Sequence, residues 1–320
     1  LIMQLTIGKL RGLQQCTSLR GTFTCLALDH RQNLRRAFNP ENPESVTASK
    51  LTDFKLNVTA ALAVDATAVL LDPEYSAAQA VAAGVIPKNA GLIVAMEATG
   101  YTGEPTARQS HILPDWSVEK AKRMGANAIK LLVYYHPNSS TASQIEALVR
   151  QVADDCRRHD LALMLEPLSY SIEKNRKLTS VEKQYVVVET ARRLTPIGVD
   201  VLKAEFPLGK NEHDKKLWRE ACEEVSSASL VPWILLSAAV DYNTFLKQVT
   251  VACNAGASGI AVGRAVWKES VQLQGKERDA FLHTVGKERL ERLASLCNTL
   301  GKPISDFYTV EAPFGWYKNY

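Results

Sequence analysis

Eight short apolar runs punctuate the 320-residue chain: TCLALD (24–29), AVLLD (68–72), LIVAME (92–97), AIKLLVYY (128–135), ALMLEP (162–167), VDVLKAEF (199–206), WILLSA (233–238) and GIAVG (259–263). Each has the length of a strand, and most are nearly continuous in apolar residues. Strands buried on both faces, as in a parallel sheet covered by helices, read this way. Between the runs the pattern predicts helices at roughly 43–65, 76–84, 116–124, 141–159, 178–195, 212–226 and 241–256, with Ser140/Thr141, Ser180 and Asp241 as caps, and a last helical stretch at about 268–300. Eight strands alternating with eight helices predict an α/β fold of the (β/α)8 TIM-barrel type. The rival, a doubly wound open sheet, expects a glycine-rich turn after the first strand, and ALDHRQNLRR (27–36) contains no glycine. No repeat, low-complexity stretch or linker divides the chain. The expectation is one domain over residues 1–320, with extended N- and C-terminal segments.

Composition narrows the partners. Hydrophobic residues make up 46% of the chain, enough for a large core, and the net charge is only +4 with no basic block. Nucleic acid is therefore not expected as a partner, while a mildly positive site for an anionic metabolite fits. The longest apolar stretch, VTAALAVDATAVLL (58–71), is broken by Asp65 and too short to span a bilayer, so no membrane partner is expected. The N-terminal LIMQLTIGKLRGLQQ lacks the apolar region and cleavage site of a secretory signal. Cys16, Cys25, Cys156, Cys222, Cys253 and Cys297 form no CxxC pair, which argues against zinc-ribbon and disulfide frameworks. Cys25 and Cys253 lie in apolar surroundings and read as small core residues. Reduced cysteines suggest a cytoplasmic protein.

The charged residues inside and after the runs carry the chemistry, because barrels of this kind place their sites at the C-terminal ends of the strands. In chain order these residues are Asp29-His30, Asp72 with Glu74, Glu97, Lys130, Glu166, Lys203 with Glu205, Ser237, and Gly263-Arg264. A single acid at a strand end, such as Asp72 or Glu97, most simply caps a helix or forms a salt bridge. Two lysines within strands say more, since lysine is almost never fully buried unless paired. Lys130 and Lys203 fall on the fourth and sixth strands, and alternate strands feed the same interior layer. Their ammonium groups could thus sit together. The plain alternative is two separate buried salt bridges, for example to Glu166 and Glu205. The functional reading is covalent. Burial and a neighbouring cation both favour the neutral amine that attacks a carbonyl. A Schiff base at Lys203 would act as an electron sink for cleavage of a C–C bond, with Glu166 moving protons. Asp29 could orient a lysine or a substrate hydroxyl. After strands seven and eight, LLSAAVD (235–241) and GIAVGRAVW (259–267) place Ser237, Gly263 and Arg264 where such barrels hold phosphate. The plain reading of VGRAVW is an ordinary strand-to-helix turn.

LALDHR, LLDPEYS, MEATGY, AIKLLVYY, LEPLSY, DVLKAEFP, LLSAAV and VGRAVW, in this order from about residue 24 to 267, together resemble the class I tagatose-1,6-bisphosphate aldolases. The resemblance implies a (β/α)8 barrel that needs no metal or other cofactor. It implies cleavage of a ketohexose bisphosphate, a phosphorylated sugar, to dihydroxyacetone phosphate and glyceraldehyde 3-phosphate. By it, Lys203 matches the Schiff-base lysine, Glu166 the acid/base glutamate, Lys130 the second active-site lysine and Asp29 the strand-one aspartate. Ser237 and Gly263-Arg264 match phosphate contacts, and His30 and Arg31 border the substrate. Two departures stand out. The family reads Asp-Gln-Arg-Gly where this chain has Asp29-His30-Arg31-Gln32, and Ser-Ala-Gly where it has Ser237-Ala238-Ala239. His30 either contacts the substrate or bonds its own loop. A related branch of the family cleaves 6-deoxy-6-sulfofructose 1-phosphate, which makes that sugar the alternative substrate.

Two further readings compete. A metal-dependent barrel lyase would use His30, His111 and His136, which follow strands one, three and four but lack helical or HxH spacing. A non-catalytic sugar-phosphate sensor would need no nucleophile, which the set of Lys203, Lys130 and Glu166 supplies. Phe281, Leu290, Leu293 and Leu296 in the C-terminal segment would pack on the barrel or on a second copy, and a homo-oligomer is expected.

Overall fold

The computed structural model describes residues 3–318 and 320. Eight parallel strands close into a barrel: β1 (Phe23–Ala27), β2 (Ala68–Leu71), β3 (Gly91–Ala95), β4 (Ala128–Tyr134), β5 (Ala162–Leu168), β6 (Val201–Ala204), β7 (Trp233–Leu236) and β8 (Gly259–Val262). Each strand pairs with its neighbours in chain order, and β8 closes on β1 with Ala261 opposite Cys25. Helices cover the outside, as the apolar runs predict. Except in β5, the strands end before the C-terminal ends of the runs, so Asp29, Asp72, Glu97, Glu205, Ser237 and Gly263 lie just beyond them. No helix among the described residues is long and apolar enough to cross a membrane.

The period of two within strands separates two cores. Outward residues such as Leu26, Val69, Val94, Leu131 and Leu163 pack against the helices. Inward residues such as Phe23, Cys25, Leu70, Ile93, Ala128, Met164, Val201 and Ile234 fill the barrel. The same alternation carried upward makes Asp29, Glu97, Lys130, Glu166 and Lys203 the next inward positions. Asp29, Glu97 and Glu166 belong to odd-numbered strands, and Lys130 and Lys203 to even-numbered ones. The interior therefore ends in a charged layer in which carboxylates and ammonium groups interleave.

Several local expectations are corrected. The helix expected at 178–195 spans Ser180–Leu194 and is capped by Thr179 rather than Ser180. Thr179 and Glu182 form a reciprocal capping box, which Ser180 cannot form because its third following residue is Lys183. The segment 43–65 is an α-helix only over Ala48–Leu62, flanked by single 3-10 turns. The stretch expected at 268–300 is interrupted, becoming continuous helix only from Gly275, with a π-helical turn at Leu282–Gly286. Leu290 and Leu293 are buried in the outer core of their own barrel. The bottom of the barrel is closed by a helix that periodicity did not flag, Ile7–Cys16, whose Leu13 and Cys16 join the inner core. Beside it, Met3–Gln4 pairs in parallel with Tyr308–Thr309. All six cysteines are buried thiols.

Candidate active site

A cavity of about 600 Å³ opens over the charged layer, within the range of small-molecule sites. Lys130 is fully buried at its floor, with Nζ 2.6 Å from Asp29 Oδ2, 2.6 Å from Glu97 Oε1 and 3.2 Å from Glu166 Oε2. Burial alone opposes its charge, but the three carboxylates hold its pKa well above the ordinary lysine value. Lys130 is therefore a standing cation.

Among the described residues Lys203 has one carboxylate partner: its Nζ donates to Glu166 Oε2 at 2.8 Å. One glutamate oxygen thus bridges the two lysines, which places the ammonium groups side by side. Burial works to raise the Glu166 carboxyl, but Lys203 and then Lys130 hold it below its usual value. Asp29 is partly buried, and Lys130 with Lys203 hold it far below the usual carboxylate range. Among the alternatives left open by the sequence, two separate salt bridges are not what forms. Glu205 lines the cavity but pairs with neither lysine: its Oε2 accepts from Ser169 N (2.7 Å) and Oγ (2.6 Å), and Lys183 lies 3.6 Å away.

Glu97 enters this network although sequence reasoning placed it among the plain structural acids. Both its oxygens are used, one on Lys130 and the other accepting from Leu132 N at 3.0 Å. Arg31 supports it from behind, donating to its backbone oxygen at 2.8 Å and lying 3.4 Å from its carboxylate, while also pairing with Glu74 at 2.5 Å. The only available signal was its place on an odd-numbered strand, level with the lysines. Asp72, by contrast, is structural: it pairs with Lys55 from the helix Ala48–Leu62 and accepts from Ser76 Oγ (2.7 Å) and Tyr75 N (2.8 Å).

On the opposite side of the cavity stand Ser237, Gly263 and Arg264. A Cβ at Gly263 would lie 2.8 Å from Ala27 O and 3.0 Å from His30 Cε1, so only glycine lets the end of β8 pass this close to β1. Arg264 is largely buried, and its Nε has no hydrogen-bond partner. Burial lowers its pKa against the pull of Asp29 and Glu166. Next to Ser237, Ala238 and Ala239 both take the left-handed conformation, with φ of 42° and 57°. His30 stacks edge-on against Trp267 at 5.4 Å, and its Nδ1 is buried without a partner. Burial, with the charges of Arg264, Lys203 and Lys55 outweighing Asp29, pushes it down to about 3. It is thus a neutral imidazole on the cavity wall.

The wall after β3 is one the sequence did not point to. A hairpin of Thr102–Glu104 and Ala107–Gln109 presents Arg108, whose guanidinium lies 4.4 Å from the Tyr101 ring, 5.3 Å from Tyr134 and 4.8 Å from Tyr170. Tyr101 and Tyr134 line the cavity. The three histidines of the metal reading do not converge. His111 Nε2 bonds Thr102 Oγ1 at 2.6 Å, and His136 Nδ1 accepts from Asn138 N in a turn. Among the described residues, no group of three or more His, Cys, Asp or Glu side chains is arranged to hold a metal ion.

Comparison with known proteins agrees with this architecture. The family model for DeoC/LacD family aldolases matches residues 23–269, from β1 through the turn after β8. The tagatose 1,6-diphosphate aldolase of Streptococcus agalactiae serotype V is 32% identical over 315 residues, covering 91% of this chain and 96% of the relative. Tagatose 1,6-diphosphate aldolase 2 of Streptococcus mutans serotype c is 29% identical over 331 residues, covering 96% and 100%. An archaeal fructose-1,6-bisphosphate aldolase, solved with its catalytic lysine covalently bound to the carbinolamine intermediate of its substrate, shares the fold. Its TM-score is 0.59 at 23% identity, over 91% of this chain and 99% of that one.

Proposed function

Because this chain belongs to the DeoC/LacD family of aldolases, we propose that it cleaves a ketohexose bisphosphate of the tagatose 1,6-bisphosphate type through a Schiff base at Lys203. The observation that carries this reading is the unequal treatment of the two interior lysines. Lys130 is fixed in three ion pairs, whereas Lys203 has among the described residues a single carboxylate partner, Glu166, which can also accept its proton. Lys203 passes its proton to Glu166, and the amine attacks the C2 carbonyl of the open-chain sugar. The carbinolamine loses water, its departing hydroxyl protonated by Glu166, and leaves an iminium ion. The Glu166 carboxylate then takes the proton of the C4 hydroxyl. The C3–C4 bond breaks, its electron pair moves into the iminium to give an enamine, and the three-carbon aldehyde phosphate departs. Reprotonation at C3 and hydrolysis of the imine release dihydroxyacetone phosphate and restore Lys203. Throughout, the Lys130 cation stabilises the oxyanions that form beside it.

The near phosphate of the sugar falls to Ser237, the backbone at Gly263 and Arg264, a half-buried cation whose Nε has no hydrogen-bond partner among the described residues. Asp29 and Glu97 hold Lys130 in place. Arg31, already engaged by Glu74 and Glu97, acts through Glu97 rather than on the sugar. His30 offers a neutral ring to the substrate.

Borohydride reduction in the presence of dihydroxyacetone phosphate tests the reading. A stable adduct on Lys203, located by peptide mass mapping, is the expected result. No adduct, with turnover lost to a chelator, would establish the metal-dependent alternative, and neither adduct nor turnover would leave a sensor. A panel setting tagatose 1,6-bisphosphate against 6-deoxy-6-sulfofructose 1-phosphate decides between the two sugars.

A further inference from the structure

The proposed reaction fixes one half of the sugar at β6 to β8, with C2 on Lys203 and the near phosphate at Ser237, Gly263 and Arg264. In a closed ring of eight strands β4 stands across from β8, so the carbons beyond C3 run toward β4 and β5. The register there sets Leu132 beside Glu166 and Tyr134 beside Leu168. Leu165 pairs in turn with Leu202 on β6, which puts Glu166 level with Lys203. Tyr134 and Leu168 are the next inward pair, about 7 Å higher at 3.3 Å per residue. Leu132, Leu168 and Tyr134 all line the cavity. Beside and above the proposed acid/base, this wall is therefore two leucines and one phenol. The phenol ring is held at three points. Tyr134 N donates to Ser110 Oγ at 2.9 Å, the Tyr101 ring meets it edge-on at 5.0 Å, and the Arg108 guanidinium lies 5.3 Å from its centre. Burial raises its pKa against the pull of Arg108, so the hydroxyl keeps its proton, and among the described residues no hydrogen bond engages it.

We infer that the Tyr134 hydroxyl hydrogen-bonds the C5 hydroxyl of the sugar, which becomes the C2 hydroxyl of the aldehyde product, and makes Tyr134 a specificity residue for the aldehyde half. This inference rests on the aldolase reading and reaches one carbon past its chemistry. The bond that breaks, C3–C4, lies at the level of Glu166 and Lys203. C5 is the next carbon along the path toward β4, and Tyr134 is the next inward side chain on that strand. A phenol both donates and accepts, which suits a neutral hydroxyl. The leucines on either side offer no substitute partner. An aldehyde without the hydroxyl therefore leaves the phenol facing a carbon, and a site built around such a hydrogen bond discriminates against the analogue that lacks it. Because the ring is already fixed by Ser110, Tyr101 and Arg108, little freedom is lost when the bond forms.

The test is the condensation direction, with dihydroxyacetone phosphate held constant and two acceptors compared: glyceraldehyde 3-phosphate and 3-phosphooxypropanal, the same aldehyde without its C2 hydroxyl. In Tyr134→Phe, which keeps the ring and its packing, kcat/KM for glyceraldehyde 3-phosphate is expected to fall about tenfold, the size of one lost hydrogen bond. The value for 3-phosphooxypropanal should stay as in wild type, so the ratio between the two aldehydes falls by the same factor. Borohydride trapping of dihydroxyacetone phosphate, which involves no aldehyde, should proceed at the wild-type rate. An unchanged aldehyde ratio overturns the inference, as does an equal loss with both aldehydes or slowed trapping in the variant. Trapping on the wild-type protein separates the two levels. A wild-type chain that gives no Lys203 adduct with dihydroxyacetone phosphate overturns the aldolase reading and this inference together. An adduct with an unchanged aldehyde ratio overturns this inference alone.

Discussion

The barrel buries lysines in two different ways. Lys55 lies between a covering helix and β2, fully buried, with Asp72 as its carboxylate partner, and Asp72 is itself closed off by Ser76 and Tyr75. Lys9 makes a similar one-to-one pair with Asp200 beneath the barrel, at 2.8 Å. At the top, Lys130 and Lys203 share Glu166 Oε2, and the group opens onto a cavity. Burial of a charge therefore does not distinguish structure from chemistry in this molecule. Sharing does. A closed pair has nowhere to send its proton, whereas a carboxylate held between two lysines can let one go and keep the other.

The largest expected effects set the two kinds of lysine against each other. Lys203→Met should lower cleavage by about 10⁴-fold or more, the scale of losing a covalent nucleophile. The protein should still fold, because Glu166 keeps Lys130 at 3.2 Å and no carboxylate is left alone. Lys55→Met should do the reverse. Stripping Asp72 of its partner leaves a buried carboxylate and costs about 3–5 kcal/mol, read as a lower urea midpoint, while the folded fraction still traps dihydroxyacetone phosphate. Near-normal turnover in Lys203→Met would refute the covalent mechanism.

Next in size is Glu166→Gln. The amide still accepts a hydrogen bond from Lys130 but cannot carry a proton. Turnover should fall by about 10²- to 10⁴-fold, with the imine forming more slowly, because Glu166 serves that step too, but still trapped by borohydride on long incubation. Unimpaired turnover would remove Glu166 from proton transfer and shift attention to Asp29.

The contrast also shows what could be read from the chain. The barrel was legible because strands buried on both faces produce nearly continuous apolar runs, and the missing glycine-rich turn after the first run set aside the open-sheet rival. Lys130 and Lys203 were legible as residues out of place within such runs. Glu97 was not, because in one dimension it looks the same as Asp72: each is an acid ending an apolar run. The register across β3 and β4, which sets Ala95 beside Lys130, brings Glu97 over a lysine, whereas Asp72, just past β2, meets Lys55 from a covering helix. The helix Ile7–Cys16 carries Lys9, Gly12, Leu13 and Cys16 on its buried side, and with Leu13 the one large apolar residue among them its periodicity does not stand out.

A smaller effect separates the top of the barrel from the bottom by pH. His30 is pushed down to about 3 from an ordinary 6.5, so the unfolded chain binds its proton more readily than the native one. Its contribution to stability is complete above about 6.5 and is lost as pH falls toward about 3. Asp200 at the bottom is shifted the other way, raised by burial against the pull of Lys9. Its contribution is present in acid and is lost as pH rises through its native value. His30→Gln should flatten the upper dependence and leave the lower one. In urea titrations, the midpoint of the variant should gain on wild type as pH drops below about 6.5 and stop gaining near 3. A parallel decline of the two proteins across that window would show that His30 takes up its proton without cost.

The smallest effect concerns the loop after β7, which borders the charged layer. Ala238 and Ala239 both hold positive φ, a conformation that costs an L-residue about 1–2 kcal/mol and glycine nothing. Glycine at Ala239 relieves that strain but gives the unfolded chain more freedom, a loss of about 0.4–1 kcal/mol. The two nearly offset, so Ala239→Gly should stabilise the protein by about 0.5 kcal/mol, visible as a small rise in urea midpoint. A fall in midpoint would mean that the methyl group makes packing contacts worth more than the strain. Ala239 would then be a packed part of the frame beside Ser237 rather than a strained stand-in for glycine.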